Sequence, residues 1–363
     1  MQGLWKRALP LYAVLAVAAL LASAPAARSG VPTVLTPTPA ATDAAARYAL
    51  AREYADAHNG LVLLVVDGDA TVFEAGRLGY DADTPYELFS GTKSFACAMA
   101  VAAVADGLLS SLDERAAATL TEFAADAGKA QITVRHLLNF TSGLDPGMRP
   151  LDGESTGDRY ADALRVGMVA APGARFAYGP SHLFAFGELM RRKLEPLGED
   201  PLDYLKRRVF APIGLEVYAW RRDAAGNPYL PSGAFLSARA WARYGVLLRD
   251  GGAWAGAPVL PAAQLAECFA GSDANPGYGL TFWLNHDVPE AAVTAAGAQG
   301  GLMQPGYLYE GGPPDLVMAA GAGNQRMYII PSRDLVVVRF GWNDPSWNDA
   351  AFLTRLLEGR VSD

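Results

Sequence analysis

The sequence predicts an α+β chain in which one sheet is assembled from both ends and a mainly helical stretch is inserted between its parts. Three observations carry this. A continuous apolar run, Leu61 to Val66, is closed by Asp67-Gly68-Asp69 and followed by Thr71 to Glu74, which reads as strand, turn, strand. Toward the other end Leu316 to Ala319, Arg326 to Ile330 and Leu335 to Phe340 read as strands again. From Ser111 to about Ala270 the signals are helical segments and long loops rather than strands.

Taken in order, Met1 to Gly30 opens with Lys6 and Arg7, continues through uncharged, largely apolar residues from Ala8 to Ala22 and ends among small residues. That is the grammar of a secretory signal peptide. A membrane-spanning helix needs about 20 apolar residues, and Pro10 interrupts this shorter run. Ala24-Pro25-Ala26 suits cleavage before Ala27, no cysteine follows to carry a lipid, and a periplasmic or secreted protein without stable membrane insertion is expected. An uncleaved N-terminal anchor is the alternative. Pro32, Pro37 and Pro39 make Val31 to Ala40 an extended tether. Thr42 to His58 carries Ala44, Ala45, Tyr48, Ala51 and Tyr54 at helical spacing and stops at Asn59-Gly60. Ser90 to Asp106 is alanine-rich and reads as one long buried helix ending at Gly107. Ile132 to Leu138, Tyr160 to Val169, Ser181 to Leu194, Pro201 to Val209 and Ala238 to Leu248 are the clearest helices of the middle, and Ser346 to Leu357 closes the chain. Residues 1–29 are therefore read as signal peptide and cleavage region, 30–42 as linker, 43–110 with 275–363 as the sheet domain, and 111–274 as the helical domain.

Composition excludes several functions. With 30 Lys plus Arg against 38 Asp plus Glu, the net charge of −8 offers no footprint for a phosphate backbone, so no nucleic-acid partner is expected. Two cysteines, Cys97 and Cys268, cannot make a disulfide framework or a four-cysteine metal site, and both are read as buried free thiols. His58, His136, His182 and His286 lack metal-ligand spacing, and no H-E-x-x-H occurs. No serine sits in G-x-S-x-G. Gly321 and Gly323 begin a G-x-G, but Arg326 stands where a third glycine would be needed, and no phosphate-binding loop is present. No metal and no cofactor are expected.

The remaining chemistry lies in Leu88-Phe89-Ser90-Gly91-Thr92-Lys93. Residues three apart share a helix face, so the Lys93 amine can reach the Ser90 hydroxyl. An alcohol is a weak nucleophile, and a lysine desolvated by apolar neighbours can accept its proton. Thr133-Val134-Arg135-His136-Leu137-Leu138-Asn139-Phe140-Thr141-Ser142-Gly143-Leu144 resembles the RHLLxxTSGL segment of serine β-lactamase-like hydrolases, a group of class C β-lactamases, D-aminopeptidases, family VIII carboxylesterases and 6-aminohexanoate-dimer hydrolases. Pro172-Gly173-Ala174-Arg175-Phe176-Ala177-Tyr178 is similar to the family's PGxxFxYSN segment, and Gly321 to Gln325 followed by Arg326 to Pro331 resembles the turn and strand after its third motif. These landmarks stand in family order, over about residues 43 to 357.

The resemblance implies a β-lactamase/transpeptidase-like fold with an antiparallel sheet flanked by helices and an inserted mainly helical domain. It implies acyl transfer, with Ser90 as nucleophile, Lys93 as base, Tyr178 in the proton relay, and the backbone N–H groups of Ser90 and Ala322 as oxyanion hole. The chain departs from the family pattern at Tyr178-Gly179-Pro180, where an asparagine usually follows two residues after the tyrosine, and at Ala319-Ala320-Gly321, where a cation usually opens the motif. The role of that asparagine is expected to be lost or taken over by Ser181 or His182, and His182 and Arg326 are candidate substrate contacts. Tyr278, Trp283, Tyr307 and Tyr309 are candidates for an acyl pocket or for core. The resulting expectation is an exported hydrolase for a small ester or amide, weak on β-lactams. The alternative is a catalytically weak or inactive protein of this fold that binds cell-wall or other acyl ligands.

Overall fold

The computed structural model describes residues 43–148 and 156–361, so the segments read from sequence as signal peptide (1–29) and linker (30–42) lie outside the described residues. Helix α1 (Ala44–Ala57) starts at Asp43, whose side chain accepts from Ala45 N–H, and leads into strand β1 (Gly60–Asp67). Every β1 residue except Asp67 is buried. The reason is position: β1 pairs antiparallel with β2 (Ala70–Gly76) on one side and with β11 (Leu335–Gly341) on the other. The sheet continues through β10 (Gln325–Ile330) and β9 (Val317–Gly321) to β8 (Trp283–Leu284), in the order β2-β1-β11-β10-β9-β8, with every pairing antiparallel. Both ends of the chain thus supply one sheet, as the apolar runs indicate. The edge strand β8 is too short to leave a pattern.

Helices cover both faces, which explains continuous rather than alternating hydrophobicity in the central strands. On β10, the Tyr328 ring stacks on Phe352 of α10 (Asp349–Glu358) at 5.5 Å. The adjacent Met327 instead faces Gly245 of α7 (Ala238–Arg249), where an added Cβ would lie 3.0 Å from the Met327 sulfur. Successive strand residues point to opposite faces, so α10 and α7 lie on opposite sides of the sheet. Helix α7 falls within the stretch read from sequence as helical domain, yet it packs on this sheet.

Helix α2 (Phe95–Ala105) is buried on nearly all sides, as its alanine-rich, uncharged sequence requires. The expected single helix from Ser90 to Asp106 is two pieces: Phe89–Ser94 is a 3₁₀ turn that runs into α2. The free-thiol reading is also corrected. Cys97 on α2 and Cys268, just after α8 (Ala262–Ala266), form a disulfide across a separation of 171 residues, with Cα atoms 6.0 Å apart. Two buried helix-borne cysteines that far apart carry no pairing signal, and only the packing of α2 on α8 brings them together. The middle of the chain holds α3 (Val134–Leu138), α4 (Arg159–Leu164), α5 (Ser181–Leu194) and α6 (Pro201–Leu205). It also holds strands where none were expected. β4 (Ala219–Trp220) and β5 (Ala234–Leu236) form a small sheet with β3 (Tyr86–Glu87), in the order β3-β5-β4, and β6 (Ala253–Trp254) pairs with β7 (Ala257–Pro258). These strands are two or three residues long, below the reach of a period-two pattern.

Candidate active site

The small sheet positions the turn that carries Ser90. Leu88 N–H donates to Ala234 O (3.0 Å), and Ala234 N–H donates back to Thr92 Oγ1 (3.1 Å), so β5 holds the turn on both sides. Phe89, immediately before the serine, adopts φ +48°, a left-handed conformation that costs a non-glycine residue about 1 kcal/mol or more. The 3₁₀ geometry that follows has three residues per turn, so positions i and i+3 lie directly above one another. Lys93 Nζ accordingly sits 2.9 Å from Ser90 Oγ. The 3₁₀ turn brings this pair closer into line than the α-helix expected from sequence would.

Lys93 is 5% exposed. Its second partner is the Pro231 carbonyl at 2.8 Å, in the loop leading to β5, and its ammonium lies 5.0 Å from the centre of the Tyr178 ring. Burial alone pushes its pKa from 10.5 down to about 7. The amine can therefore exchange a proton near neutrality. As free base it can accept a hydrogen bond from the Ser90 O–H, and as ammonium it donates to Ser90 Oγ.

Tyr178 is held from several sides. Its N–H donates to Gln299 O (2.7 Å), its ring stacks on Trp283 (centroids 5.8 Å apart), and Phe140 meets it edge-on at 5.4 Å. Burial pushes the phenol up to about 12, with the neighbouring Ser90 hydroxyl and Arg326 charge partly opposing it. Tyr178 is therefore a neutral O–H group at physiological pH.

Ser90 and Tyr178 line a pocket of about 240 Å³ together with Ala320, Gly321, Ala322, Asn324, Arg326 and Asn343. A larger cavity of about 390 Å³ lies between α7 and the β1–β2 edge, lined by residues such as Leu64, Arg239 and Trp254, and includes none of the expected site residues. Chemistry rather than size locates the site. Gly321 is set by close approach: its φ is an ordinary −128°, but a Cβ would lie 2.0 Å from Leu88 O. The end of β9 can thus press against the Ser90 turn and bring Ala322 to the pocket. Ala320, not Ala319, borders the pocket beside it.

The two candidate substrate contacts, His182 and Arg326, are both engaged by internal partners. His182 is fully buried and both ring nitrogens are occupied, Nδ1 with Ser142 Oγ (2.8 Å) and Nε2 with Ala177 O (2.8 Å), while its ring stacks on Phe140 at 5.0 Å. Burial lowers its pKa to about 4, so it is a neutral brace behind Tyr178. It does not replace the family asparagine at Lys93, and neither does Ser181, whose Oγ accepts from Met148 N–H. The Pro231 carbonyl is the group beside the amine, and no side-chain pattern in the sequence points to a backbone carbonyl. Arg326 does line the pocket but is 3% exposed, and its guanidinium is paired with Asp349 (2.7 Å and 3.2 Å) and donates to Gln325 O (3.0 Å). The cation is present, but its donors are engaged within the protein. Of the four aromatic candidates, Tyr278 and Trp283 pack against Tyr178 from behind, Tyr309 is bonded to Glu358, and Tyr307 is exposed; none is among the residues lining the pocket.

A protein-family model described as Beta-lactamase matches residues 47–356. No curated protein matches the chain. Among solved structures, a penicillin-binding protein homologue from Caulobacter crescentus is similar at 18% identity, over 89% of this chain and 98% of that one, with a TM-score of 0.66. A class C beta-lactamase from Rhodobacter sphaeroides is similar at 20% identity, over 86% and 98%, with a TM-score of 0.62. EstCE1, a hydrolase with promiscuous acyltransferase activity, is similar at 16% identity, over 86% and 98%, with a TM-score of 0.62. At these identities the likeness is one of fold.

Proposed function

This chain belongs to the Beta-lactamase family, and on that premise we propose that it is a serine hydrolase that cleaves the ester or amide bond of a small acyl substrate through an acyl-enzyme at Ser90. The observation that carries the reading is the buried Lys93 amine, 2.9 Å from Ser90 Oγ and with its pKa lowered to about 7. As Ser90 Oγ attacks the carbonyl carbon, Lys93 takes the hydroxyl proton, and the carbonyl oxygen becomes an oxyanion that accepts from the N–H groups of Ser90 and Ala322. Tyr178, neutral because burial raises its pKa, passes a proton to the leaving oxygen or nitrogen as the carbon–heteroatom bond breaks. Water then attacks the Ser90 ester and gives its proton to the same groups, releasing the acid and restoring the hydroxyl.

Uncharged esters fit this pocket better than β-lactams. A β-lactam carboxylate needs a cation to receive it, and here Ala319-Ala320 stand where the family usually has one, while Arg326 is neutralised by Asp349. A charge-assisted hydrogen bond contributes ~1.5–3 kcal/mol, so its absence weakens β-lactam processing roughly ten- to a hundredfold. The test is kcat/KM on a short-chain aryl ester against a penicillin and a cephalosporin; preference for either β-lactam contradicts the assignment. We also propose export to the periplasm or medium. The Cys97–Cys268 disulfide favours it, because such bonds persist in oxidising compartments. N-terminal sequencing of the mature protein should begin near Ala27, and recovery of Met1 in the cytoplasm would refute it.

A further inference from the structure

A strap of chain between α9 (Glu290–Ala296) and β9 borders the pocket with a side chain that the chemistry above does not use. Its contacts with Tyr178 are close. Gln299 O accepts the Tyr178 N–H at 2.7 Å, and the Gln299 side-chain oxygen accepts from the guanidinium of Arg175, three residues before the tyrosine. Gly301 follows at φ +65°, against the tyrosine ring, where a Cβ would lie 2.9 Å from Tyr178 Cγ and 3.2 Å from Cδ2. The next residue, Leu302, lines the Ser90 pocket yet remains 48% exposed. The neighbouring wall of Ala320, Gly321, Ala322 and Gly323 is built of small residues, and Asn324 and Asn343 are polar. Apart from the Tyr178 ring, Leu302 is thus the large apolar surface of a pocket lined by small or polar groups, and covering it with aliphatic carbon would remove it from water.

We propose that the strap selects substrates with a short aliphatic acyl chain, Leu302 being the wall on which the chain packs and Gln299 and Gly301 being positioning residues for Tyr178. The inference rests on the hydrolase reading for its catalytic consequences, whereas the apolar wall exists with or without catalysis. Because the strap fixes the tyrosine and supplies the wall together, substrate contact and proton relay share one rigid reference. Gly301 is the position at which only glycine fits, on both conformation and space.

The experiment compares p-nitrophenyl acetate with p-nitrophenyl butyrate, and acetamide with butanamide binding by ligand-observed NMR, for the unaltered protein, Leu302→Ser and Gly301→Ala. Two methylene groups packed on one wall should make the butyrate-to-acetate ratio of kcat/KM about 5, and Leu302→Ser should bring it to about 1. This ratio does not depend on the amount of folded enzyme. Gly301→Ala, checked for folding by circular dichroism, should lower kcat about tenfold or more with KM within about twofold. It should also move the acid limb of the pH profile upward, because a displaced Tyr178 ring lets water reach Lys93 and returns its pKa toward 10.5. An unchanged butyrate-to-acetate ratio in Leu302→Ser overturns the wall, and wild-type kcat with an unmoved acid limb in Gly301→Ala overturns the positioning role. If the protein hydrolyses neither ester and Ser90 takes no fluorophosphonate label, the hydrolase reading fails and binding of the amides decides the wall. Tighter butanamide binding abolished by Leu302→Ser supports it, and equal binding of the two amides overturns it.

Discussion

Replacing Lys93 by methionine should make the protein more stable while abolishing turnover, and the gain should depend on pH in a defined way. The drop of the Lys93 pKa from 10.5 to about 7 corresponds to about 5 kcal/mol of unfavourable burial when both folded and unfolded chains carry the proton. Between pH 7 and 10.5 the unfolded chain holds this proton and the folded chain does not, so stability rises with pH by about 1.4 kcal/mol per unit. The penalty is complete below the folded pKa and gone above the unfolded one. From pH 7 to pH 9 the unaltered protein should therefore gain about 2 kcal/mol relative to Lys93→Met, all other groups titrating alike in both. At pH 7 the variant also loses the hydrogen bonds to Ser90 Oγ and Pro231 O, at a cost of about 1–3 kcal/mol, and should still be the more stable by about 1–3 kcal/mol. Urea unfolding followed by tryptophan fluorescence at pH 7, 8 and 9 measures the difference. A constant difference across that range would refute the claim that Lys93 is held as a free base by burial, and with it the account of how Ser90 is activated.

Two further expectations follow from the same geometry. Ser90→Ala and Lys93→Ala should each remove most turnover, and the double variant should be barely slower than either, because the two act as one unit; losses that multiply would contradict the pairing. Removing the Cys97–Cys268 bridge by double substitution to alanine should cost about 2–5 kcal/mol in urea unfolding. Because both cysteines are fully buried, reductant should lower the midpoint only when it acts on unfolded protein, and rapid reduction of the native protein would show the bridge to be accessible.

The parts legible from sequence are those whose signal is local. The apolar runs of β1, β10 and β11 announce buried strands because both faces of the sheet are covered, and Ser181–Leu194 appears as α5 with the same ends. The three-residue spacing of Ser90 and Lys93 survives the change from α to 3₁₀ geometry, since either winding places them on one face. What escaped depends on chain packing. Cys97 meets Cys268 only because α2 lies on α8, and Lys93 finds the Pro231 carbonyl only because the three-stranded sheet β3-β5-β4 folds beside it. His182 and Arg326 stand close to the expected chemistry in sequence, but each is bound to partners distant along the chain: Ser142 in one case and Asp349 in the other. A residue type at a suggestive position says that a group can act, and only its partners show whether it is free to.

Whether Ser90 is the nucleophile that becomes acylated is read out by intact-mass spectrometry of the purified protein after incubation with a fluorophosphonate. A single stoichiometric adduct should form, mapped by peptide digestion to Ser90, absent in Ser90→Ala and formed much more slowly in Lys93→Met. Native protein that remains unlabelled, or an adduct at another residue that persists in Ser90→Ala, would contradict that role.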